Sequence, residues 1–267
     1  MKRFVLIIVV FLNFSCEDVV EVDLDETQGR LVVEASILWK KGTAGNMQEI
    51  ILSTTTPFYK DEIPFVNDAE VTIINTDGTE FKFNFEGNGR YISENFIPEL
   101  NETYFLEIYY NAEIYKAAEV FKSVSEIDKI EQAEGGGFAG DEYELKFYYT
   151  DPVDTEDYYL FKFSFEDRLT FEIYEDEFTN GNQIFGYYSN EDLEKGSLVT
   201  ASIQGISKNY YEYLFILRSQ VGSNQGGPFE TMPATVKGNI INETNPENYP
   251  LGYFRLSETE RSSYTIE

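Results

Sequence analysis

The segment Glu80-Phe-Lys-Phe-Asn-Phe-Glu86 decides the fold class, because apolar and polar residues alternate in it without a break. A period of two places the three phenylalanines on one face of a β-strand and the charged and amide side chains on the other. The same alternation occurs over residues 31–37 and recurs along most of the chain that follows. It is typical of antiparallel strands with one buried face, so it predicts a mainly β protein.

Residues 29–122 are predicted to form one β-sandwich domain. Besides the two segments just described, the alternation places strands at 48–54, 69–75, 89–93, 103–110 and 113–121. Two turns, Asp77-Gly78 and Asn88-Gly89, separate neighbouring strands and are typical of hairpins. Seven short antiparallel strands in about 95 residues favour an immunoglobulin-like or transthyretin-like sandwich.

Residues 123–267 are predicted to form a second β-rich domain, because the alternation stops at Ser123-Val-Ser-Glu126 and then resumes. The first strands of this domain are rich in aromatic residues and lie at 143–149 and 159–165. Further strands are expected at 169–173, 183–188, 197–205, 239–241 and 251–256. The glycine-rich segment 134–141 is predicted to be a hairpin tip or a connection.

One helix, over 207–221, is predicted to interrupt this second domain. Ser207 is a suitable N-cap, and Gly222 lies where a helix C-terminus is expected. The apolar residues recur at positions i, i+4, i+7 and i+11, as Tyr210, Leu214, Leu217 and Val221. This spacing predicts that the four side chains form a buried face against the sheet.

Composition excludes several classes of function. The chain has 20 Lys and Arg against 48 Asp and Glu, a net charge of -28, so nucleic acid is not expected as a partner. It has no histidine, which removes the commonest general base and the commonest catalytic zinc ligand. A single cysteine cannot form an internal disulfide. Catalysis by paired carboxylates alone remains open.

Residues 1–15 are predicted to be a lipoprotein signal peptide. Two basic residues precede an apolar run at 4–12, and Ser15 places a small residue directly before Cys16. Cleavage there would leave Cys16 as the N-terminus, carrying a diacylglycerol and a further acyl chain such as palmitate. A membrane-spanning helix needs about 20 apolar residues, whereas Asn13 interrupts this run. An ordinary secretory signal with an incidental cysteine is the other alternative.

Residues 16–28 are predicted to be an acidic tether between the lipid and the folded domains. The segment is rich in Asp and Glu and has no strand or helix pattern of useful length. Acidic residues directly after a lipidated cysteine resemble the signal that exports lipoproteins of Bacteroidota to the cell surface. A simple solvated spacer is the alternative.

The order of these features resembles a family of Bacteroidota lipoproteins that is described as a domain of unknown function and commonly encoded beside TonB-dependent outer-membrane receptors. The matching segments are Cys16 with its acidic continuation, Leu31–Glu34, Asp176–Asn182, Ser207–Leu214, Gly227–Phe229, Gly238–Ile240 and Leu251–Phe254. The resemblance implies an outer-membrane lipoprotein, anchored at the cell surface or on the periplasmic face, that serves a transporter. It gives no catalytic residues to carry over, because the family has no established activity, and we expect no metal and no cofactor.

The leading hypothesis is therefore a non-enzymatic accessory of a TonB-dependent receptor that captures a small-molecule or glycan ligand or covers the transporter. One alternative is a glycan-active enzyme that uses paired carboxylates such as Glu172 and Asp176. Another is an adhesin-like structural module, which fits a β-sandwich equally well.

Two further features suggest ligands, each with a simpler explanation. The acidic segments 23–26 and 151–157 carry oxygen ligands suited to Ca²⁺, but clusters of this kind arise by chance in so acidic a chain. Trp39 precedes a polar loop and could stack on a sugar, although a single tryptophan at a strand end is more often part of the core.

Overall fold

The computed structural model describes residues 29–57, 62–137, 140, 142–221 and 235–267. The predicted signal peptide, Cys16, the acidic tether and the Gly227–Phe229 segment lie outside the described residues. Within them the chain forms fifteen strands and one helix. The predicted mainly β fold class is confirmed.

The first seven strands form a β-sandwich. They are β1 (Leu31–Lys40), β2 (Gln48–Thr54), β3 (Glu70–Asn75), β4 (Glu80–Gly87), β5 (Arg90–Ser93), β6 (Thr103–Tyr110) and β7 (Glu113–Val120). Strands β1, β2 and β5 are neighbours, as are β4, β3, β6 and β7, and a β4–β5 pairing joins the two sets. Their inward side chains, such as Val33 and Leu106, form one core. Phe81 and Phe83 are buried as predicted, whereas Phe85 is 44% exposed.

The remaining strands form a second sandwich with one inserted helix. The elements are β8 (Ile127–Gly136), β9 (Glu142–Thr150), β10 (Tyr158–Phe165), β11 (Arg168–Glu175), β12 (Gln183–Ser189), β13 (Leu198–Ile206), α1 (Lys208–Val221), β14 (Ile241–Asn242) and β15 (Leu251–Thr265). One sheet has the order β12-β9-β8, and the other contains β11-β10-β13-β15. The strand order of the first sandwich is therefore repeated, and α1 precedes its last strand. The short strand β14 instead pairs with β7 of the first sandwich.

Strand β15 belongs to both sandwiches. Its first part pairs in parallel with β1 over nine residue pairs, from Val32↔Leu251 to Lys40↔Thr259. Its second part pairs antiparallel with β13, beginning at Gln204↔Thr259. The parallel pairing requires close approach of the two backbones, because a Cβ at Gly252 would lie 2.0 Å from the carbonyl oxygen of Val33. We call this parallel pairing the seam.

The predicted domain boundary at 122/123 falls between β7 and β8. The two sandwiches have separate hydrophobic cores, but Ile240, Phe254 and Leu256 from the C-terminal part belong to the first one. Whether residues 29–122 fold alone stays a prediction.

Helix α1 packs on the second sandwich through its first turns. Ser207 caps it as predicted, since its Oγ accepts a hydrogen bond from the backbone N–H of Tyr210 at 3.2 Å. Leu214 is buried, in a cluster with Leu160 and Ile206 of the sheet. The predicted burial of Leu217 is wrong, because it is 36% exposed. Among the described side chains of α1, those in the buried cluster lie in its first half, from Tyr210 to Leu214. The side chain of Val221 and the predicted helix end at Gly222 lie outside the described residues.

Candidate functional site

The candidate site lies on the outer face of the second sandwich, beside the seam. Lys162 on β10 is opposite Ser202 on β13, and Ser202 is opposite Arg261 on β15. One row further along, Thr259 of β15 lies between Gln204 and Lys40. Because side chains alternate along a strand, members of these two rows point to the same face, away from the core.

These side chains line an open cavity of about 380 Å³, which we call the seam pocket. Its lining consists of Leu38, Lys40, Lys162, Ser164, Leu169, Thr200, Ser202, Gln204, Thr259 and Arg261. Four strands and the start of β11 thus contribute to one pocket. It is built on rigid sheet rather than on loops, which fixes the spacing of its polar groups.

The seam pocket is positively charged although the protein is strongly acidic. Three cations, Lys40, Lys162 and Arg261, line it, and none of its lining residues is acidic. Within the described part of the chain, none of the three forms an ion pair, whereas lysines and arginines elsewhere, such as Arg90 with Glu49, do. Burial lowers the pKa of Lys162, and the nearby charge of Arg255 lowers it further.

Arg255 lies beside this pocket, on the face of β15 that also carries Thr259 and Arg261, and is 3% exposed. Its Nε donates to Ser36 Oγ at 3.0 Å, and its Nη1 donates to Gln204 Oε1 at 2.9 Å and to Ser257 Oγ at 3.1 Å. The guanidinium carbon is also 5.0 Å from the centre of the Tyr210 ring. All the groups that bind this buried cation are neutral, so its positive charge is not cancelled locally.

The buried arginine fixes the direction of the hydrogen bonds in the pocket. A guanidinium can only donate, so Gln204 turns its carbonyl oxygen toward Arg255 and its amide nitrogen toward the pocket. That nitrogen donates to Ser202 Oγ at 3.2 Å. The hydroxyl hydrogen of Ser202 is then free to donate to another acceptor. The floor of the seam pocket therefore presents donors.

The predicted acidic segment 151–157 contributes to a different cluster. One carboxylate oxygen from each of Asp151, Asp157 and Asp176 lies within 4.8 Å of the other two. Asp151 and Asp176 are 1% and 2% exposed. Tyr159 and the backbone N–H of Gly181 donate to Asp151, and the backbone N–H of Asp157 donates to Asp176. We call these three residues the aspartate trio.

The aspartate trio links the loop after β9 to the loop after β11. Burial raises the pKa of Asp157, and the charges of Asp151 and Asp176 raise it further. The sequence placed Asp151 and Asp157 in one acidic segment but assigned Asp176 to a separate turn. The three aspartates come together because β9 packs against β10 and β11 in the sandwich. No pattern in the local sequence predicts this.

The other candidate residues have structural partners. Glu172 is held by Arg218 of α1 through two hydrogen bonds, of 2.6 and 3.0 Å, and Asp176 is buried in the trio. Trp39 donates from its ring nitrogen to the carbonyl oxygen of Thr43 at 2.8 Å, and its ring meets Phe121 edge-on at 6.1 Å. This packing favours the core interpretation of Trp39 over a sugar platform.

In the described ranges, no helix is both long enough and apolar enough to cross a membrane.

The two sandwiches define the chain as a mainly β protein of the β-sandwich class. A two-domain fibronectin type III segment of chicken tenascin matches 59% of this chain and 83% of its own, at 11% identity and a TM-score of 0.20. A cytokine receptor complex matches 68% and 86%, at 7% identity and a TM-score of 0.28.

The chain belongs to the family described as Domain of unknown function (DUF4249), whose model matches residues 17–263. This confirms the predicted membership of a family defined as a domain of unknown function. No curated protein matches the chain.

Proposed function

We propose that the protein is a lipid-anchored outer-membrane lipoprotein that captures a ligand for a TonB-dependent receptor and does not convert it. The observation that carries this proposal is the seam pocket, which is rich in hydrogen-bond donors and has no carboxylate in its lining. The pocket therefore lacks the carboxylates and the histidine that most often act as general bases. With no histidine in the chain, this set of residues is suited to binding.

Family membership supports the remainder of the proposal. The family model begins at residue 17, directly after the cysteine that we expect to carry the lipid. Residues 16–28 would then tether the two sandwiches to the outer membrane, at the cell surface or on its periplasmic face. Such a tether would hold the seam pocket within reach of a receptor in the same membrane.

The surroundings of the predicted carboxylate pair favour a binding protein over the alternative of a glycan-active enzyme. Glu172 is occupied by Arg218, and Asp176 is 2% exposed. A glycosidase must present both of its carboxyl groups to the substrate.

Affinity purification of the tagged native lipoprotein from solubilised membranes tests this proposal. We expect a TonB-dependent receptor to co-purify at a stoichiometric ratio. An untagged strain serves as the control for non-specific recovery. Purification without a receptor, combined with hydrolysis of a glycan panel by the pure protein, would replace the proposal with the enzymatic alternative.

A further inference from the structure

We infer that the seam pocket binds the oxyanion of a small acidic ligand, namely a carboxylate, sulfate or phosphate group on a compact body such as a sugar acid. The inference deepens the proposed function and rests on it for the role of the pocket in ligand capture. It assigns the chemical class of the ligand and the residues that recognise it.

The first argument is the convergence of donors. Lys162, Ser202 and Arg261 are direct neighbours across three adjacent strands. Neighbouring strands are about 4.8 Å apart, so the two cations begin about 10 Å from each other, one on each side of the serine. Their long side chains can close over an oxyanion placed above Ser202. The serine hydroxyl can donate to that oxyanion, since its oxygen already accepts from Gln204.

The second argument is the missing counter-charge. Acidic residues make up 48 of the 267 residues, so ten lining residues would hold about two of them by chance. The seam pocket has none, while it holds three cations, and the buried Arg255 adds a further positive charge where it binds Gln204 of the lining. Like charges held together and partly removed from water destabilise the unliganded protein. An anionic ligand would relieve this repulsion on binding.

The third argument is the size and the edge of the pocket. A volume of about 380 Å³ is at the lower end of the range for small-molecule sites. Leu38 and Leu169 line it beside the polar groups, and Leu169 is 66% exposed. These leucines offer contact to the carbon skeleton of a ligand whose charged group lies between Lys162 and Arg261. A polymer would have to extend beyond the pocket.

Isothermal titration calorimetry on the full chain, purified in detergent, tests the inference. The probes are D-glucuronate, inorganic sulfate and inorganic phosphate, with uncharged D-glucose as the control, in buffer of about 0.15 M ionic strength to screen the overall negative charge. We expect D-glucuronate to bind and D-glucose to give no heat. If sulfate or phosphate binds and D-glucuronate does not, the pocket is an oxyanion site but its ligand is not a sugar acid.

Variants locate the binding. Arg261 is exposed, so Arg261→Gln should leave the fold intact and weaken binding of D-glucuronate at least about tenfold, as expected for loss of a charge-assisted hydrogen bond. Lys82→Gln removes an equally exposed cation from β4 of the first sandwich and should leave binding unchanged. Equal weakening by both variants would show a non-specific charge effect and overturn the inference.

A second variant separates recognition from structure. Lys162 is half-buried without an acidic partner among the described residues, so Lys162→Met keeps its apolar stem and removes an uncompensated charge. We expect this variant to lose binding of D-glucuronate and to melt at or above the temperature of the parent protein. A lower melting temperature with unchanged binding would make Lys162 structural and overturn its assigned role.

The outcomes distinguish this inference from the proposed function. No binding of any of the three anions to the parent protein would reject the ligand class but would leave receptor co-purification unaffected. Binding of an anion without a co-purifying receptor would reject the role in transport and keep the site.

Discussion

Replacing Asp157 with asparagine should stabilise the protein at neutral pH. The carboxylate of Asp157 lies within 4.8 Å of those of Asp151 and Asp176, both of which are buried. No described lysine or arginine forms a salt bridge with any of the three. Asparagine has the same shape, keeps an oxygen that can accept from Thr155, and can donate from its amide to the neighbouring carboxylates. The backbone hydrogen bond from residue 157 to Asp176 is unaffected.

The magnitude follows from Coulomb's law. Two unit charges 4.8 Å apart repel by about 3 kcal/mol at an effective dielectric constant of about 20, and by about 1 kcal/mol in water. Asp157 is half-buried, so solvent screens part of this repulsion. We expect Asp157→Asn to raise the free energy of unfolding by about 1 to 2 kcal/mol. For a chain of this size that corresponds to an increase in melting temperature of about 3 to 6 °C.

The stabilisation should depend on pH in a defined direction. The pKa of Asp157 is raised in the folded protein, so the folded state binds this proton more tightly than the unfolded chain does. The stability associated with that proton is fully present below the pKa that an aspartate has in the unfolded chain, about 3.9. It is lost as the pH rises through the higher pKa of Asp157 in the folded protein. The difference between Asp157→Asn and the parent protein should therefore be largest near pH 7 and shrink toward pH 4.

Differential scanning calorimetry at several pH values, with EDTA present, measures this difference. Asp154→Asn is the matched control, because Asp154 is an exposed residue of the same loop and should change little. A lower melting temperature for Asp157→Asn than for Asp154→Asn at pH 7 would refute the argument from repulsion. A repeat with CaCl₂ in place of EDTA examines the calcium alternative. If CaCl₂ raises the melting temperature of the parent protein but not that of Asp157→Asn, the aspartate trio binds a cation.

Three further predictions concern the anchor, the helix and the domain boundary. Cys16→Ala should release the protein from membranes or leave an uncleaved precursor, as measured by fractionation and mass spectrometry; a correctly cleaved variant that stays in the membrane would contradict lipidation. Leu214→Ala should lower the free energy of unfolding by about 2 to 4 kcal/mol because Leu214 is 7% exposed, as measured by urea denaturation. Leu217→Ala should lower it by less than about 1 kcal/mol, and equal losses would contradict the packing of α1. Residues 29–122 alone should unfold cooperatively by circular dichroism but at lower urea concentration than the full chain, because Phe254 and Leu256 are missing from their core; a fragment without structure would show that β15 is essential.

The strands of the first sandwich could be predicted from the sequence because their signal is local. The predicted bounds 48–54 and 103–110 coincide with β2 and β6. In β6 burial alternates strictly along the strand, with Tyr104, Leu106 and Ile108 on the buried face. In β2, Ile50 and Leu52 are buried and Ile51 between them is only partly buried. The N-cap at Ser207 could be predicted for the same reason, since the helix start depends on residues three positions apart.

Strand β15 was predicted only over its first six residues, and its true extent to Thr265 shows why the pattern failed. From Ser257 to Ser263 the strand has no apolar residue, although Ser257 and Glu258 are buried, so apolar and polar residues do not alternate there. Arg255 and Glu258 are both polar and buried. Each is bound by groups from distant segments: Arg255 by Ser36 and Gln204, and Glu258 by the backbone N–H of Val124. Local periodicity contains no information about such partners.

The seam pocket follows from the same long-range pairing. Thr259 pairs on one side with Lys40 and on the other with Gln204, so the strand that ends the chain brings together cations from three separate segments. Lys40, Lys162 and Arg261 have no common motif, and each alone resembles an ordinary surface residue. Because the strand pairings fix β1, β10 and β15 around β13, the backbone positions from which these cations extend are set before any ligand arrives. Binding then needs no rearrangement of the sheet, and only the long cationic side chains have to be ordered around the ligand, which favours capture of a dilute ligand.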